Sequence, residues 1–553
     1  MSRILVIAGL WWVIIGPAAS ARGPSRDQPN ILIILADDVG YSDIGCQGGE
    51  IRTPNLDSLA AGGVRFTNFY NSARCCPTRA SLMTGLHPAQ AGFPDMVGRL
   101  PNRVVTIPEV LKTAGYSTFM VGKWHLSEAT KPTDRGFDEF YGMLGGFNSC
   151  WREDPFQTRW PRGREKRPYP PGAFYSTDAF GDYALDFLEQ GRKAGKPWFL
   201  YLAFNAAHFP LHAPKADIER YQPLYADGWD TIRERRLARM KALGLVPRDL
   251  ELTPRTVVPK NWANARKESA DQQIPAWETL PLDRRNDLAR RMATFAAMID
   301  RMDQNIGRVV DYLTRTGQID KTLILYLSDN GACGEWDPFG FDGESGPKNV
   351  LHAGLDLKTI GGPASYSSYG SGWANACSTP YRYYKQYTHE GGIRTPLIVH
   401  YPAGTTLKPG TMLRQTGYIT DLLPTCADAA GASYPTERLG QKILPAEGAS
   451  LLPLVKGGVP PARPVFIEHE GSKAILDGGW KLVQERGGHP WELYNLALDP
   501  TETHDLAREQ PGRVQAMALA WDDWAMRCGL KGDDSKSLRG PTVPRTPVNP
   551  SKL

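Results

Sequence analysis

Asn30-Ile31-Leu32-Ile33-Ile34-Leu35-Ala36 runs without a charge straight into Asp37-Asp38. An apolar run that does not alternate with polar residues is a strand buried on both faces, as in a mostly parallel sheet. Three further stretches repeat the pattern. Tyr116-Ser117-Thr118-Phe119-Met120-Val121 runs into Gly122-Lys123-Trp124-His125, Trp198 to Phe204 into Asn205-Ala206-Ala207-His208, and Thr322 to Leu327 into Ser328-Asp329-Asn330-Gly331. Helical patterns such as Ala179–Lys193 and Arg290–Thr314 lie between them. The fold class is therefore α/β, a large mostly parallel mixed sheet sandwiched by helices. In such sheets functional groups gather beyond the carboxyl ends of the strands. Four strands delivering carboxylates, an amide, a lysine and two histidines to one edge place an active site there.

The chain has 553 residues, with 64 Lys and Arg against 59 Asp and Glu, and a formal charge of +5. This length suits a large domain with a smaller one. The small charge and the lack of a long basic run exclude a nucleic-acid footprint. Residues 28–458 read as the main domain, interrupted by insertions at 219–285 and 332–380. Trp229, Trp262 and Trp277 punctuate the first insertion; they suit carbohydrate contact or packing against the domain surface. Residues 459–530 read as a small antiparallel sheet with one helix. The tail 531–553 is polar and proline-rich, and disorder is expected there. Residues 1–21 have the form of a secretory signal peptide: a basic start, an apolar run from Ile4 to Ile15, and a small-residue cleavage site ending at Ala21. That run is shorter than the ~20 residues of a membrane span. The expectation is a secreted or periplasmic protein without stable membrane insertion. Eight cysteines are few for a disulfide scaffold of this size.

The remaining chemistry centres on Arg74-Cys75-Cys76-Pro77-Thr78-Arg79-Ala80-Ser81-Leu82-Met83-Thr84-Gly85. Pro77 suits a first helical turn and Gly85 a helix end, so Cys75 stands at the positive end of a helix dipole, where an anion is stabilised. Asp37, Asp38, Asp329 and Asn330 offer hard oxygen ligands, which favours Ca²⁺ or Mg²⁺ over zinc. Lys123 can hold an anionic oxygen as a point charge, and His125, two residues on, can accept a proton.

The spacing Cys-x-Pro-x-Arg with Leu-Met-Thr-Gly resembles the signature of the type I sulfatases, and Gly-Lys-Trp-His-Leu and Ser-Asp-Asn-Gly resemble further motifs of that family. The likeness covers most of residues 28–430 and implies an alkaline phosphatase-like fold. It also implies oxidation of Cys75, by a modifying enzyme, to formylglycine, whose hydrate is the nucleophile. Cys76 would place Pro77 one position too early. By resemblance the metal, Ca²⁺ with Mg²⁺ an alternative, is held by Asp37, Asp38, Asp329, Asn330 and the residue made from Cys75. Arg79, His125 and His208 take catalytic roles. Lys123 and Lys385, the latter five residues before Glu390-Gly391-Gly392, bind the substrate. The family pattern selects His208 over His212, and leaves His389 and Arg394 as supporting residues. Thr78 stands where many relatives have serine. The implied substrate is an aryl or carbohydrate sulfate monoester. Two alternatives remain at this stage: a phosphodiesterase or phosphonate monoester hydrolase of the same superfamily, and a non-catalytic glycan-binding relative.

Overall fold

In the computed structural model, which describes residues 28–256, 273–335, 338–346, 348–459 and 461–530, the run that opens the sequence is strand β1 (Asn30–Ala36). The expected signal segment 1–21, Trp262 and the tail 531–553 lie outside the described residues. Ile31, Ile33 and Leu35 pack into one core, and Leu32, Ile34 and Ala36 into another on the opposite face. This two-sided burial is what the lack of alternation predicts.

β1 is central in a ten-stranded sheet with β2 (Val64–Tyr70), β3 (Ser117–Lys123), β4 (Glu139–Met143), β5 (Thr158–Trp160), β6 (Trp198–Ala203), β7 (Thr322–Ser328), β8 (Arg394–His400), β9 (Thr411–Leu413) and β10 (Gly417–Tyr418). The order is β10-β2-β8-β7-β1-β6-β3-β4-β5, with β9 also on β2. Only β8 and β5 run against the rest. The carboxyl ends of β1, β2, β3, β6 and β7 therefore share one edge. Because β8 is antiparallel, the chain that leads into it arrives at that same edge.

Helices Ser176–Ala194, Lys215–Tyr225 and Leu282–Arg315 cover one face through Phe180, Phe187, Ile218, Met292 and Phe295. Helices Cys75–Thr84, Ile107–Lys112 and Leu422–Ala430 cover the other. The first insertion is more ordered than its polar composition suggests. It includes much of Lys215–Tyr225 and all of a second helix, Gly228–Ala242, and its Trp229 and Trp277 meet Trp373 edge-on in a buried cluster. Those two tryptophans are packing residues, not an open carbohydrate face.

After a short hairpin, β11 (Glu437–Arg438) and β12 (Gln441–Lys442), the chain forms the expected antiparallel sheet. It comprises β13 (Val465–His469), β14 (Ser472–Asp477), β15 (Trp480–Gln484) and β16 (Glu492–Asn495). Helix Pro511–Arg527 lays Trp521 and Trp524 on Ile475, Leu482 and Leu493. The alternate residues Ala474, Leu476 and Val483 join the main core, so this sheet is pinned on both faces. Lys481 makes the polar pin, 2.9 Å from Glu390 and 2.7 Å from Glu502, with all three side chains out of water. Removing one partner of a buried ion cluster costs about 3–5 kcal/mol, because charges stay behind uncompensated. Lys481→Ala should therefore lower the urea midpoint by an amount equivalent to that cost. A change below about 1 kcal/mol would show that the cluster does not tether the sheet.

Candidate active site

β2 ends at Tyr70, and after four intervening residues helix Cys75–Thr84 begins with its N-terminus at the shared edge. The turn is held by hydroxyl chemistry. Ser72 N–H donates to Thr78 Oγ1 at 2.9 Å, and Thr78 N–H closes the first turn on Arg74 O at 3.0 Å. Only a hydroxyl is used at position 78, which is why threonine serves where serine is common. Cys75 is buried at the helix start. Burial pushes its thiol up from the ordinary range, against the pull of Lys123 and Lys385, so as a plain thiol it is a poor nucleophile. Cys76 turns away and donates its S–H to His125 O at 3.0 Å. All eight cysteines are free thiols.

Around Cys75 the strand ends assemble charges in alternation. From β1, Asp37 Oδ2 accepts from Lys123 Nζ at 2.6 Å. Asp38 Oδ1 accepts from Lys385 Nζ and from Asn330 Nδ2, each at 2.7 Å. Beyond β7, Asp329 Oδ2 receives Arg79 Nε at 2.9 Å and faces Arg79 Nη2 at 2.8 Å. Arg79 Nη1 donates to Lys123 O at 2.8 Å, which ties the nucleophile helix to β3. Lys385 reaches the edge from the chain ahead of β8. Asp38 and His125 have φ of +61° and +51°. Such strain in non-glycine residues clusters at functional sites, where the surrounding structure over-determines it.

Three buried oxygens are left without a partner: Asp37 Oδ1, Asp38 Oδ2 and Asn330 Oδ1. Orphaned buried acceptors are costly unless a cation takes them. Oxygen donors of this kind fit a hard divalent ion. Asp37, Asp38 and His208 also offer ligand atoms within 4.8 Å of one another. Asp329, by contrast, has Oδ2 committed to Arg79 and Oδ1 3.4 Å from Asp38 N–H. Burial, followed by the neighbouring Asp329, raises the Asp37 carboxyl to about 8. Asp38 is held well below the usual carboxylate range: burial opposes its ionisation, but the lysines, Lys385 above all, outweigh it.

Both histidines are kept neutral. Burial, then Lys123 and Arg79, push His125 well below its ordinary value. Burial does the same to His208, partly offset by Asp38. His208 Nδ1 lies 2.7 Å from Phe209 O and is therefore the protonated nitrogen. That leaves Nε2 as the reactive one, 3.6 Å from Asp38 Oδ2. His212 is occupied elsewhere, accepting from Cys150 N–H at 3.2 Å and donating to Ser365 O at 2.7 Å. His389 pairs with Glu492 at 3.3 Å and Arg394 with Glu390 at 3.0 Å.

Sequence reasoning missed one group. Arg74 meets Glu335 at 2.9 Å, Gln386 Nε2 donates to the same carboxylate at 2.6 Å, and Gln386 N–H closes on Ala73 O at 2.9 Å. These contacts brace the turn before Cys75. Glu335 sits in a loop with no periodic signal, so only the fold reveals it.

A family model, Sulfatase, matches residues 29–432. This chain belongs to the sulfatase family. The arylsulfatase of Klebsiella aerogenes is 34% identical, over 82% of this chain and 96% of its own. An uncharacterized sulfatase of Schizosaccharomyces pombe is 32% identical, over 89% of this chain and 93% of its own. Among solved structures, Ps i-CgsB in complex with k-i-k-neocarrahexaose superposes with a TM-score of 0.63 at 25% identity, covering 90% and 93% of the two chains. The protein is a sulfatase enzyme.

The protonation state of Asp37 sets a measurable property of this sulfatase. A proton on Asp37 would compete with a cation at these oxygens, so below about pH 8 any such binding would have to release it. If a divalent cation takes these oxygens, its affinity for chelator-treated protein should rise about tenfold per pH unit from 6 and level off above about 8. Calorimetric titration across that range checks it, and a flat profile would mean Asp37 stays ionised without the ion.

Proposed function

We propose that this sulfatase hydrolyses an aryl or carbohydrate sulfate monoester at Cys75, and that the orphaned oxygens beside that residue hold Ca²⁺, or Mg²⁺. The observation that carries the reading is this convergence of Lys123, Lys385, two neutral histidines and three unpartnered oxygens around one buried helix N-terminus. Once oxidised, residue 75 supplies a hydrated aldehyde as nucleophile, and the bound cation supplies charge against the developing anion. Asp37, Asp38 and Asn330 would hold that cation through those free oxygens, with residue 75 alongside and Asp329 joining only through the carboxylate it shares with Arg79.

The chain's own residues do the rest. Lys123 and Lys385 bind the ester's anionic oxygens. Burial opposes the charge on Lys385, but Asp38 above all raises it well above its ordinary value, so it stays a cation at every working pH. Arg79 locks Asp329 and the β3 carbonyl, which fixes the helix that carries residue 75. His125, neutral and buried, accepts a proton from residue 75. His208 Nε2 delivers a proton to the departing oxygen. Burial is the main cause of this ring's neutrality, with Lys385 and Lys123 adding to it; an incoming sulfate offsets the lysines and so favours the protonated ring that the step needs.

The arylsulfatase and the structure in complex with k-i-k-neocarrahexaose support aryl and carbohydrate sulfates as the substrate class. The apolar run Ile4–Ile15 and the small residues before Ala21 support export to the periplasm or beyond. Among the described residues no helix is long and apolar enough to cross a membrane. A modifying enzyme in the host would carry out the oxidation of Cys75.

Mass spectrometry and kinetics test the reading. The tryptic peptide Cys75 to Arg79 of active protein should carry the mass of the aldehyde in place of the thiol. Fully active enzyme with an intact thiol would overturn the nucleophile. In kinetics, kcat/KM for 4-nitrophenyl sulfate should exceed that for bis(4-nitrophenyl) phosphate, and the reverse preference would favour the phosphodiesterase alternative. Because burial and cations depress His125, its limb of the pH profile should fall only well below pH 6.5. His125→Ala should cut kcat by about 100-fold or more, and a loss confined to KM would remove it from the chemistry.

A further inference from the structure

The loop after β4, residues 144–148, touches both histidines of the site. His125 N–H donates to Leu144 O at 3.1 Å. A Cβ on Gly146 would stand 2.7 Å from His125 Nε2, so the loop backbone lies directly on that ring and no side chain fits between them. One residue further on, Phe147 stacks on His208 with ring centroids 5.6 Å apart and planes 9° from parallel. Phe209 braces the pair, 5.1 Å from Phe147 and 4.2 Å from His208. Phe209 in turn stands edge-on to Phe341 at 4.9 Å.

Despite these contacts Phe147 is 43% exposed and belongs to neither core of the main sheet. Single exposed apolar residues are common and need no explanation. This one differs in being held rigid and parallel to the imidazole whose Nε2 faces Asp38. Its ring therefore continues the surface of His208 outward from the anion pocket. Whatever leaves from sulfur must pass His208 Nε2, and so lies within reach of that ring.

We propose that Phe147 is the leaving-group platform of this sulfatase, taking a flat apolar face, an aromatic ring or the C–H face of a pyranose, against its exposed surface. The proposal rests on the sulfatase reading and adds the specificity element that the anion pocket lacks. Lys123 and Lys385 recognise the sulfate alone and cannot distinguish one ester from another. Phe147 supplies discrimination through ring–ring contact, and Gly146 fixes the register that puts it there.

Binding to metal-loaded Cys75→Ala protein, which lacks the nucleophile, separates this idea from catalysis. Calorimetry with phenyl sulfate, a pyranose 6-sulfate and inorganic sulfate compares ring-bearing ligands with the anion alone. Adding Phe147→Ala should weaken at least one ring-bearing ester about 5-fold or more, the order expected of an aromatic contact. Inorganic sulfate should stay within about twofold, and Phe147→Trp should restore the lost affinity. The ester that loses more identifies an aryl or a sugar leaving group. Unchanged binding of both esters, equal weakening of inorganic sulfate, or failure of both esters to bind before Phe147 is altered would overturn the platform. Turnover of 4-nitrophenyl sulfate by the unaltered enzyme tests the sulfatase reading separately, so either can fail without the other.

Discussion

Three carboxylates and three cations meet out of water at one edge of the sheet: Asp37 with Lys123, Asp38 with Lys385, and Asp329 with Arg79. Desolvating each ion costs several kcal/mol, and such a cluster persists only where opposite charges alternate with good geometry. That requirement explains much of the architecture. β1 supplies two adjacent acids, β3 returns a lysine across β6, and β7 returns an acid and an amide beside β1. The arginine comes from a helix whose first turn also presents Cys75. The pairing is deliberately incomplete in one sense: three oxygens remain unpartnered, and these face the need for a further cation.

The antiparallel β8 and the C-terminal sheet are part of the same arrangement. Because β8 enters the main sheet at the functional edge, the segment ahead of it can bring Lys385 to Asp38 and Glu390 to Lys481. A few residues thus join the catalytic charges to the buried cluster that pins β15. The small sheet is anchored to the site's own supporting loop.

Most of the site was legible because a buried parallel strand announces its end. Asp37, Asp38, Lys123, His125, His208, Asp329 and Asn330 all follow apolar runs, and topology places those ends together. Lys385 follows no such run; it precedes an antiparallel strand, and only its likeness to a family motif drew attention to it. Glu335, Gln386 and Phe147 lay beyond sequence reading, since each acts through a contact between loops distant in the chain. The insertion that begins near residue 219 left two readings open, carbohydrate contact or packing, and only the fold chose packing. Its helices are rich in charge, and the tryptophans that bury them find their partner, Trp373, nearly a hundred residues beyond Trp277.

By itself the sequence determined the sheet, its buried strands, the functional edge and the cysteine in register with its motif, because periodicity and spacing are local properties of the chain. Tertiary structure alone decided which oxygens stay unpartnered, which histidine nitrogen is free, why Asp37 and Asp38 titrate in opposite directions, and which aromatic ring stacks on His208. Those outcomes depend on distances between residues far apart in sequence and on the exclusion of water around them, neither of which a linear pattern contains.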